Sequence, residues 1–132
     1  RRWEPGWLDA HEAGRRGHTI RDHVGKSAEE MADRLARKPS LTRTSTFPDK
    51  ATAERAAEAV FKANARQIRA WLASGTGKED FVANVGEDVG YVLVRGASER
   101  VTAQHARIVL IRDDSMPEGW RLLTSFPEIA GG

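Results

Sequence analysis

The sequence predicts an α+β domain in which N-terminal helices are followed by a twisted antiparallel β-sheet. From about residue 7 to residue 73, the apolar residues recur at the three-to-four-residue spacing of amphipathic helices. From about residue 80 to residue 127, they alternate with polar residues, as in strands that bury one face. The gaps between these strands are of turn length, which favours antiparallel neighbours. We therefore expect one domain over residues 1–132, with a helical part and a sheet part.

Four helices are predicted: residues 7–13, residues 18–24, a third that opens after Ser27 and stops before Pro39, and a fourth over residues 50–73. Gly14 and Gly25 end the first two, because glycine readily adopts the left-handed conformation that closes a helix. Ser27 and Glu30 have the spacing of a capping box and open the third helix, which stops before a proline. Asp49 caps the fourth helix, whose apolar residues form one long stripe that faces the core.

Four strands are predicted, over residues 80–84, 89–95, 101–112 and 119–126. Residues 38–46 are polar and rich in hydroxyl groups, and we interpret them as a loop. In the last strand four residues alternate and are expected on one face: Trp120, Leu122, Thr124 and Phe126. Thr124 is the polar member of that row, so its hydroxyl needs a backbone group or a ligand oxygen as partner.

The composition excludes several classes of protein. The chain has no cysteine, so disulfides and thiolate metal sites are excluded. No apolar run approaches the ~20 residues that cross a bilayer, and no signal-peptide pattern is present. The first residue is arginine rather than methionine, from which we expect a fragment or a processed domain.

Positive charge is concentrated in the first part of the chain. Residues 1–74 carry 15 basic and 10 acidic side chains, a net charge of +5, whereas residues 75–132 carry 6 and 9, a net charge of −3. A basic half favours a polyanionic partner such as RNA or DNA. A solvated helical surface is the alternative explanation.

Three of the four histidines fall within thirteen positions: His11, His18 and His23. Such a cluster is expected either to bind a metal ion or to form an acid–base site that holds an anion. A metal site is disfavoured because His18 and His23 are five residues apart and the HExxH pattern is absent. Four nearby cationic side chains would also repel a metal ion: Arg15, Arg16, Arg21 and Lys26. We predict no metal and no cofactor, and we interpret His105 as a partly buried packing residue, with a second acid–base group as the alternative.

The sequence around His23 indicates an anion site. Lys26 follows closely, and the N–H groups of the helix that begins after Ser27 point back toward the same place. Arg34 is too distant from His23 along one unbroken helix, but the break at Gly25 lets the two side chains converge. The alternatives are a capping or packing role for His23 and a surface position for Arg34.

Together these residues resemble a known family, the bacterial ribonuclease A-like C-terminal toxin domains of contact-dependent growth inhibition and related polymorphic toxins. The resemblance runs from about Leu8 to Pro127. Its N-terminal block comprises residues 8–14, 17–20 and 23–27, followed by Arg34-Leu35; its middle block is Thr52-Ala53 with Asn64, Ile68 and Trp71-Leu72; its C-terminal block is Leu123-Thr124-Ser125-Phe126-Pro127.

The resemblance implies a ribonuclease A-like fold without disulfides and a metal-independent endoribonuclease. The active-site histidine of the family corresponds to His23, its arginine to Arg34 and its threonine to Thr124. The family usually has a tyrosine two residues after that threonine. Phe126 here keeps an aromatic ring but lacks the hydroxyl.

The implied mechanism is transesterification by the ribose 2′-OH. His23 takes the proton of this hydroxyl, and the 2′-oxygen attacks the adjacent phosphorus, which leaves a 2′,3′-cyclic phosphate. Arg34, supported by Lys26, stabilises the charge of the transition state, and Thr124 contacts a phosphate oxygen or the base. Three candidates for the general acid stay open: His11, His18 and Glu12.

The resemblance also implies a biological setting. RNA is the expected substrate, with tRNA among the candidates, and a cognate immunity protein covers the basic cleft. The domain is expected to be a monomer without a membrane span, secreted as the C-terminal part of a larger protein and active in the cytoplasm of a target bacterium. A non-catalytic RNA- or protein-binding module that uses the same basic cluster is the alternative, and a metal-dependent nuclease ranks behind both.

Overall fold

The structure, a computed structural model, describes residues 3–12 and 17–130. In chain order its elements are α1 (Trp7–Glu12), α2 (Thr19–His23), α3 (Ala28–Arg37), β1 (Arg43–Thr46), α4 (Lys50–Ala63), α5 (Ala65–Ser74), β2 (Lys78–Asn84), β3 (Gly90–Val94), β4 (Val101–Ala103), β5 (His105–Arg112) and β6 (Trp120–Glu128). The predicted α+β class is confirmed. The predicted end of the first helix at residues 13 and 14 lies outside the described residues. No helix in the described ranges has the length and apolar character needed to cross a membrane.

The strands form two three-stranded antiparallel sheets rather than one. The first sheet has the order β1-β3-β4 and the second the order β2-β5-β6. Only two of the pairings, β3 with β4 and β5 with β6, join strands that follow each other in the chain. The edge strand β6 packs against both β1 and β3 and so brings the two sheets together. Turn-length gaps between strands therefore do not determine which strands pair.

The predicted strand over residues 101–112 is in fact two strands that break at Gln104. The Gln104 carbonyl accepts the Val85 N–H at 2.8 Å, and its side-chain amide donates to Asp88 at 3.0 Å. These bonds turn the chain from the first sheet, which holds β4, into the second sheet, which holds β5. The alternation of the sequence is continuous through this crossing, so the pattern predicts a single strand.

The predicted loop over residues 38–46 contains β1, which pairs with β3 in antiparallel register. The sequence carries a signal for this strand. Thr42, Thr44 and Thr46 alternate, and β-branched residues at a period of two are typical of strands. The polar composition of the segment hides this signal, because hydroxyl-rich segments between helices are more often loops.

The predicted helix over residues 50–73 is two helices that meet at Asn64. The Asn64 side-chain amide donates to the carbonyl of Val60 at 3.0 Å and to that of Val82 at 3.2 Å, which ties the junction to β2. Both predicted caps are confirmed. Asp49 accepts the Thr52 N–H at 2.7 Å, and the capping box of α3 is complete, with both of its hydrogen bonds present.

The main core lies between α4 and the second sheet. Its buried members include Ala56, Ala57 and Val60 of α4, Ile108 and Leu110 of β5, and Trp120 and Leu122 of β6. Trp7 and Trp71 are buried in this core, and Trp3 packs against it. A smaller cluster of Met31, Leu35 and Leu93 holds α3 against the first sheet.

Strand β6 carries a bulge at Leu123. Leu122 pairs with Leu110 and Thr124 with Val109, so β6 has one residue more than β5 at this point. An extra residue reverses which face the following side chains occupy. The first part of the strand faces the core, and the prediction that Thr124 and Phe126 share this face is wrong. β6 also runs on past its predicted end to Glu128, since an edge strand tolerates the missing N–H of a proline.

A test of how closely the strands approach uses Gly90, at the start of β3. A Cβ atom there would lie 2.2 Å from the Thr46 carbonyl oxygen and 2.7 Å from Pro127 Cγ. Gly90→Ala should therefore lower the free energy of unfolding by about 1–3 kcal/mol, the usual cost of overpacking, in urea denaturation. Gly77→Ala is the matched control, because nothing lies within 4 Å of its Cβ position. Equal stability of the two variants would contradict this packing.

Candidate active site

A cleft of about 420 Å³ opens between the end of α2, α3, β1 and β6. It is lined by His18, His23, Arg34, residues 40–45, Thr124, Phe126 and Glu128. The three predicted catalytic residues, His23, Arg34 and Thr124, thus meet at one cleft although they come from three separate elements. The break at Gly25, with a φ of 69°, separates α2 from α3 as the sequence predicts.

His23, the last residue of α2, is attached to the outer edge of β1. In an antiparallel pair, alternate residues direct their backbone groups to the partner strand, so Ser45 and Phe47 direct theirs away from β3. Phe47 donates to the His23 carbonyl at 2.8 Å, and the Gly25 N–H donates to the Phe47 carbonyl at 2.8 Å. His23 Nδ1 lies 3.0 Å from the Ser45 carbonyl oxygen. Because a carbonyl only accepts, Nδ1 carries the proton and Nε2 is the unprotonated nitrogen of the neutral ring.

The surroundings of His23 keep its ring neutral. Burial lowers the pKa of His23 to about 4, against the opposing effect of the Ser45 carbonyl, and the positive charge of Arg34 lowers it further. The Phe126 ring contributes to this burial, with its centroid 5.2 Å from that of the His23 ring. At neutral pH the imidazole is therefore in the form that can accept a proton.

Asp22 orients two side chains of the cleft. Its Oδ1 lies 3.8 Å from Arg34 Nη1, and its Oδ2 lies 3.2 Å from His18 Nδ1 without the alignment of a full hydrogen bond. Burial raises the pKa of Asp22, but the hydrogen bond from Arg21 and the charge of Arg34 outweigh burial and leave the pKa of Asp22 below its ordinary value. Asp22 therefore stays ionised and holds Arg34 and His18 at the cleft.

The bulge at Leu123 places the remaining wall of the cleft. It turns Thr124 and Phe126 toward His23, and the Leu123 carbonyl accepts the His18 N–H at 2.8 Å. This approach requires the glycine before His18, since a Cβ at Gly17 would lie 2.9 Å from the Leu122 carbonyl oxygen. Thr124 Oγ1 is buried and has no hydrogen-bond partner among the described residues. The hydroxyl that the sequence marks as needing a partner is thus left for a ligand.

Lys26 lines a neighbouring groove rather than the cleft itself. This groove, of about 320 Å³, shares Arg34, Thr44 and Ser45 with the cleft. The Lys26 N–H donates to Thr46 Oγ1 at 3.0 Å, which fixes the backbone between α2 and α3. Lys26 therefore stands next to Arg34 on the side away from Thr124.

His11 is buried in the core, away from the cleft. Its Nδ1 accepts the Leu122 N–H at 2.9 Å, and its ring contacts those of Trp7 and Trp120. Burial lowers the pKa of His11. The structure explains this histidine as a neutral hydrogen-bond acceptor that anchors α1 to β6.

Glu12 also has a structural position. Its carboxylate accepts the N–H groups of Ile20 and Arg21, the first turn of α2. Since His11 and Glu12 are both elsewhere, His18 is the one candidate for the general acid that the structure brings to the cleft.

One further candidate for chemistry, His105, is not among the residues that line the cleft. His105, half-buried at the start of β5, is paired with Asn84 on β2 and Glu128 on β6. Within residues 3–12 and 17–130, no three His, Asp or Glu side chains group in a way that could hold a metal ion.

Three residues at the site are absent from the sequence-based prediction: Asp22, Arg43 and Ser45. Arg43 and Ser45 lie in the segment interpreted as a loop, and the threonine alternation is the signal that could have identified it as a strand. Ser45 contributes its backbone carbonyl, which no residue type reveals. Asp22 could have been found from its spacing to His18, because residues four apart lie on one helix face.

Comparison with known proteins identifies the family and the fold. The family model for the bacterial CdiA-CT RNAse A domain matches residues 17–127. The chain belongs to this family. The structure is similar to a CdiA-CT/CdiI complex from Y. kristensenii 33638, with 29% sequence identity, a TM-score of 0.78, and coverage of 85% of this chain and 99% of that chain. No curated protein sequence matches the chain.

As a CdiA-CT RNase A domain, the chain is a ribonuclease toxin with a ribonuclease A-like fold, and the resemblance found in the sequence is confirmed. The part of the chain that the family model matches includes His23, Arg34 and Thr124. The roles of these individual residues stay predictions.

The stability of the domain should depend on pH through His23. The folded-state pKa of about 4 lies below the ordinary value of 6.5, so the unfolded chain binds a proton that the folded domain excludes. The contribution of this pKa difference to the free energy of unfolding is fully present above pH ~6.5 and is lost as the pH falls toward 4. His23→Asn keeps a donor for the Ser45 carbonyl but does not titrate.

We expect the free energy of unfolding of the wild type to fall between pH 7 and pH 4 by about 3 kcal/mol more than that of His23→Asn, in urea denaturation. His11, whose pKa is also lowered, is present in both proteins and cancels from the difference. Parallel pH dependence in the two proteins would show that His23 is not held neutral by burial.

Proposed function

We propose that this CdiA-CT RNase A domain is a metal-independent endoribonuclease that cleaves RNA by attack of the ribose 2′-OH on the adjacent phosphorus. The observation that carries the proposal is the hydrogen bond from His23 Nδ1 to the Ser45 carbonyl. It fixes a neutral imidazole whose Nε2 accepts a proton, at a cleft that also holds an arginine and a free hydroxyl. The family membership supports ribonuclease activity in general.

In the first half of the step, His23 Nε2 takes the proton of the 2′-OH. The 2′-oxygen forms a bond to phosphorus, the bond from phosphorus to the 5′-oxygen breaks, and the products are a 2′,3′-cyclic phosphate and a 5′-hydroxyl. No co-reactant or metal is consumed. Neutral imidazole is the form that this transfer needs, because only an unprotonated nitrogen can accept the proton.

Arg34 and Thr124 stabilise the charge that develops on the phosphate oxygens. Arg34 offers several N–H donors in a planar fork, and Thr124 offers a hydroxyl with no protein partner. Both lie in a partly water-excluded cleft, where fixed donors stabilise a transition state more strongly than water does. Phe126 packs on the ring of His23 and limits its movement.

The leaving 5′-oxygen needs a proton, and we assign this role to His18. Its Nδ1 side faces Asp22, which leaves Nε2 for transfer to the substrate. Asp22 acts here as the carboxylate that orients the ring of His18. This choice follows from position, since His11 and Glu12 make structural hydrogen bonds elsewhere.

We further propose that the domain is exported as the C-terminal part of a larger protein, acts as a monomer in the cytoplasm of a target bacterium, and is blocked by a cognate immunity protein. The similar structure is a CdiA-CT/CdiI complex, which supports a partner of this kind. A cleft that contains Arg34 and Arg43 favours an acidic surface on that partner.

A first test concerns His23. In EDTA, the wild-type domain should cleave bacterial RNA and leave 2′,3′-cyclic phosphate ends, whereas His23→Ala should lose about 10²–10⁴-fold in rate because the base is gone. An all-deoxy strand of the same sequence should not be cut. Product ends are identified by enzymatic removal of the cyclic phosphate and mass spectrometry.

The control for this test is His105→Ala, which removes a histidine outside the cleft and should keep full activity. Loss of cleavage in EDTA would contradict metal independence, and full activity of a folded His23→Ala protein would contradict its role as base. A folded wild type that binds RNA without cutting it would indicate a non-catalytic binding module instead.

A second test concerns His18. His18→Ala should cleave a dinucleotide about 10²–10⁴-fold more slowly, because the departing 5′-oxygen receives no proton. Nucleoside 3′-(4-nitrophenyl) phosphates should be cleaved nearly as fast by the variant as by the wild type, since nitrophenolate leaves without a proton. An equal loss of rate on both substrates would mean that His18 shapes the cleft rather than donates a proton.

A further inference from the structure

Arg43, the first residue of β1, lines the cleft beside the catalytic histidine. Side chains alternate along a strand, so Arg43 shares the face of Ser45, whereas Thr44 on the other face donates to the Met31 carbonyl of α3 at 3.3 Å. This face is directed toward β6, which packs on β1 and contributes Thr124 to the same cleft.

The guanidinium of Arg43 has an unused donor. Its Nη1 atom is buried, yet it has no hydrogen-bond partner among the described residues. Two other arginines with limited exposure, Arg112 and Arg121, bind protein groups. Arg112 Nε donates to the Thr76 carbonyl at 2.8 Å, and Arg121 Nε donates to Asp113 at 2.7 Å. Leaving a buried charged donor unpaired is costly, so a ligand acceptor is the expected partner of Arg43.

The acidic groups around the cleft do not neutralise Arg43. Glu128 lines the cleft but is bound to Arg107, with 3.0 Å between Oε2 and Nη2. Asp22 is engaged by Arg21 and lies 3.8 Å from Arg34. Within residues 3–12 and 17–130, Arg43 thus forms no ion pair, and its positive charge favours an anionic ligand over a neutral one.

We propose that Arg43 binds a phosphate group of the RNA substrate, as a second arginine of the cleft beside Arg34. This inference rests on the proposed function. Two unpartnered donors, Arg43 Nη1 and Thr124 Oγ1, line one cleft, and a phosphate carries several acceptor oxygens that satisfy both. Phosphate contacts give affinity without reading the base sequence.

The binding of 2′-O-methyl RNA tests the phosphate contact of Arg43. This RNA lacks the free 2′-OH that acts as nucleophile, so the wild-type domain leaves it intact. Fluorescence anisotropy should be measured over a range of NaCl concentrations with single-stranded oligo-U and oligo-A. Each phosphate neutralised on a single strand contributes about 0.7 to the slope of log affinity against log salt. Arg43→Gln should lower the affinity at low salt about tenfold or more and reduce this slope by about 0.7.

Two further variants distinguish a phosphate contact from a structural effect. Arg43→Lys keeps the charge but not the planar fork, so it should preserve the salt slope and lose part of the affinity. Arg66→Gln removes an exposed arginine from α5, which contributes no residue to the cleft, and should change neither quantity. Melting curves establish that each variant is folded.

An unchanged salt slope in a folded Arg43→Gln protein would overturn the inference. A loss of affinity confined to one of the two oligonucleotides would overturn it as well, because it would indicate a contact with the base rather than with the phosphate. If the parent domain binds no RNA, the inference fails as well. If the domain binds RNA with the expected Arg43 dependence but the cleavage assay fails, the phosphate contact stands and the catalytic proposal is the one rejected.

Discussion

The attachment of α2 to the free edge of β1 is the interaction on which the site depends. The antiparallel pairing with β3 uses the backbone groups of Thr44 and Thr46, and it leaves those of Ser45 and Phe47 directed outward. Phe47 binds the backbone at both sides of the break between α2 and α3, and Ser45 binds the His23 ring. The register between β1 and β3 thus selects the tautomer of His23. A shift of one residue would turn the Ser45 carbonyl, which accepts the Nδ1 proton, toward β3.

A second constraint is the bulge at Leu123, which makes one strand serve both the core and the cleft. Before the bulge, the side chains of Trp120 and Leu122 fill the core; after it, Thr124 faces the cleft. The bulge residue itself binds the N–H of His18 through its carbonyl. Without the extra residue, the hydroxyl of Thr124 would be directed into the apolar core, where an unpaired polar group is costly. The bulge is therefore required for the packing of the core as well as for the geometry of the cleft.

The features that are local in sequence could be predicted, and those that depend on distant contacts could not. The capping box at Ser27 and the cap at Asp49 were predictable because their hydrogen bonds join residues three apart. The break at Asn64 depends on a bond to Val82, and the break at Gln104 on the separation of two sheets; neither partner is visible in a local pattern. His23, Arg34 and Thr124 could be selected together only through the family resemblance. Their individual settings also fit packing roles, and the position of Ser45 depends on strand pairing.

In the mechanism that we propose, the electrostatics that keep His23 neutral also prepare it for RNA. Burial and the charge of Arg34 lower its pKa in the free domain, which makes the imidazole a weak base. A phosphate bound at Arg34 brings negative charge next to the ring and offsets the charge of the arginine, so the basicity of His23 rises when RNA occupies the cleft. Asp22, which is paired with Arg21 and lies 3.8 Å from Arg34, already raises the pKa of His23 in the free domain, and the phosphate would add to its effect. In the proposed mechanism, a base that strengthens on binding its substrate needs no second histidine to activate it, and this leaves His18 available for the leaving group.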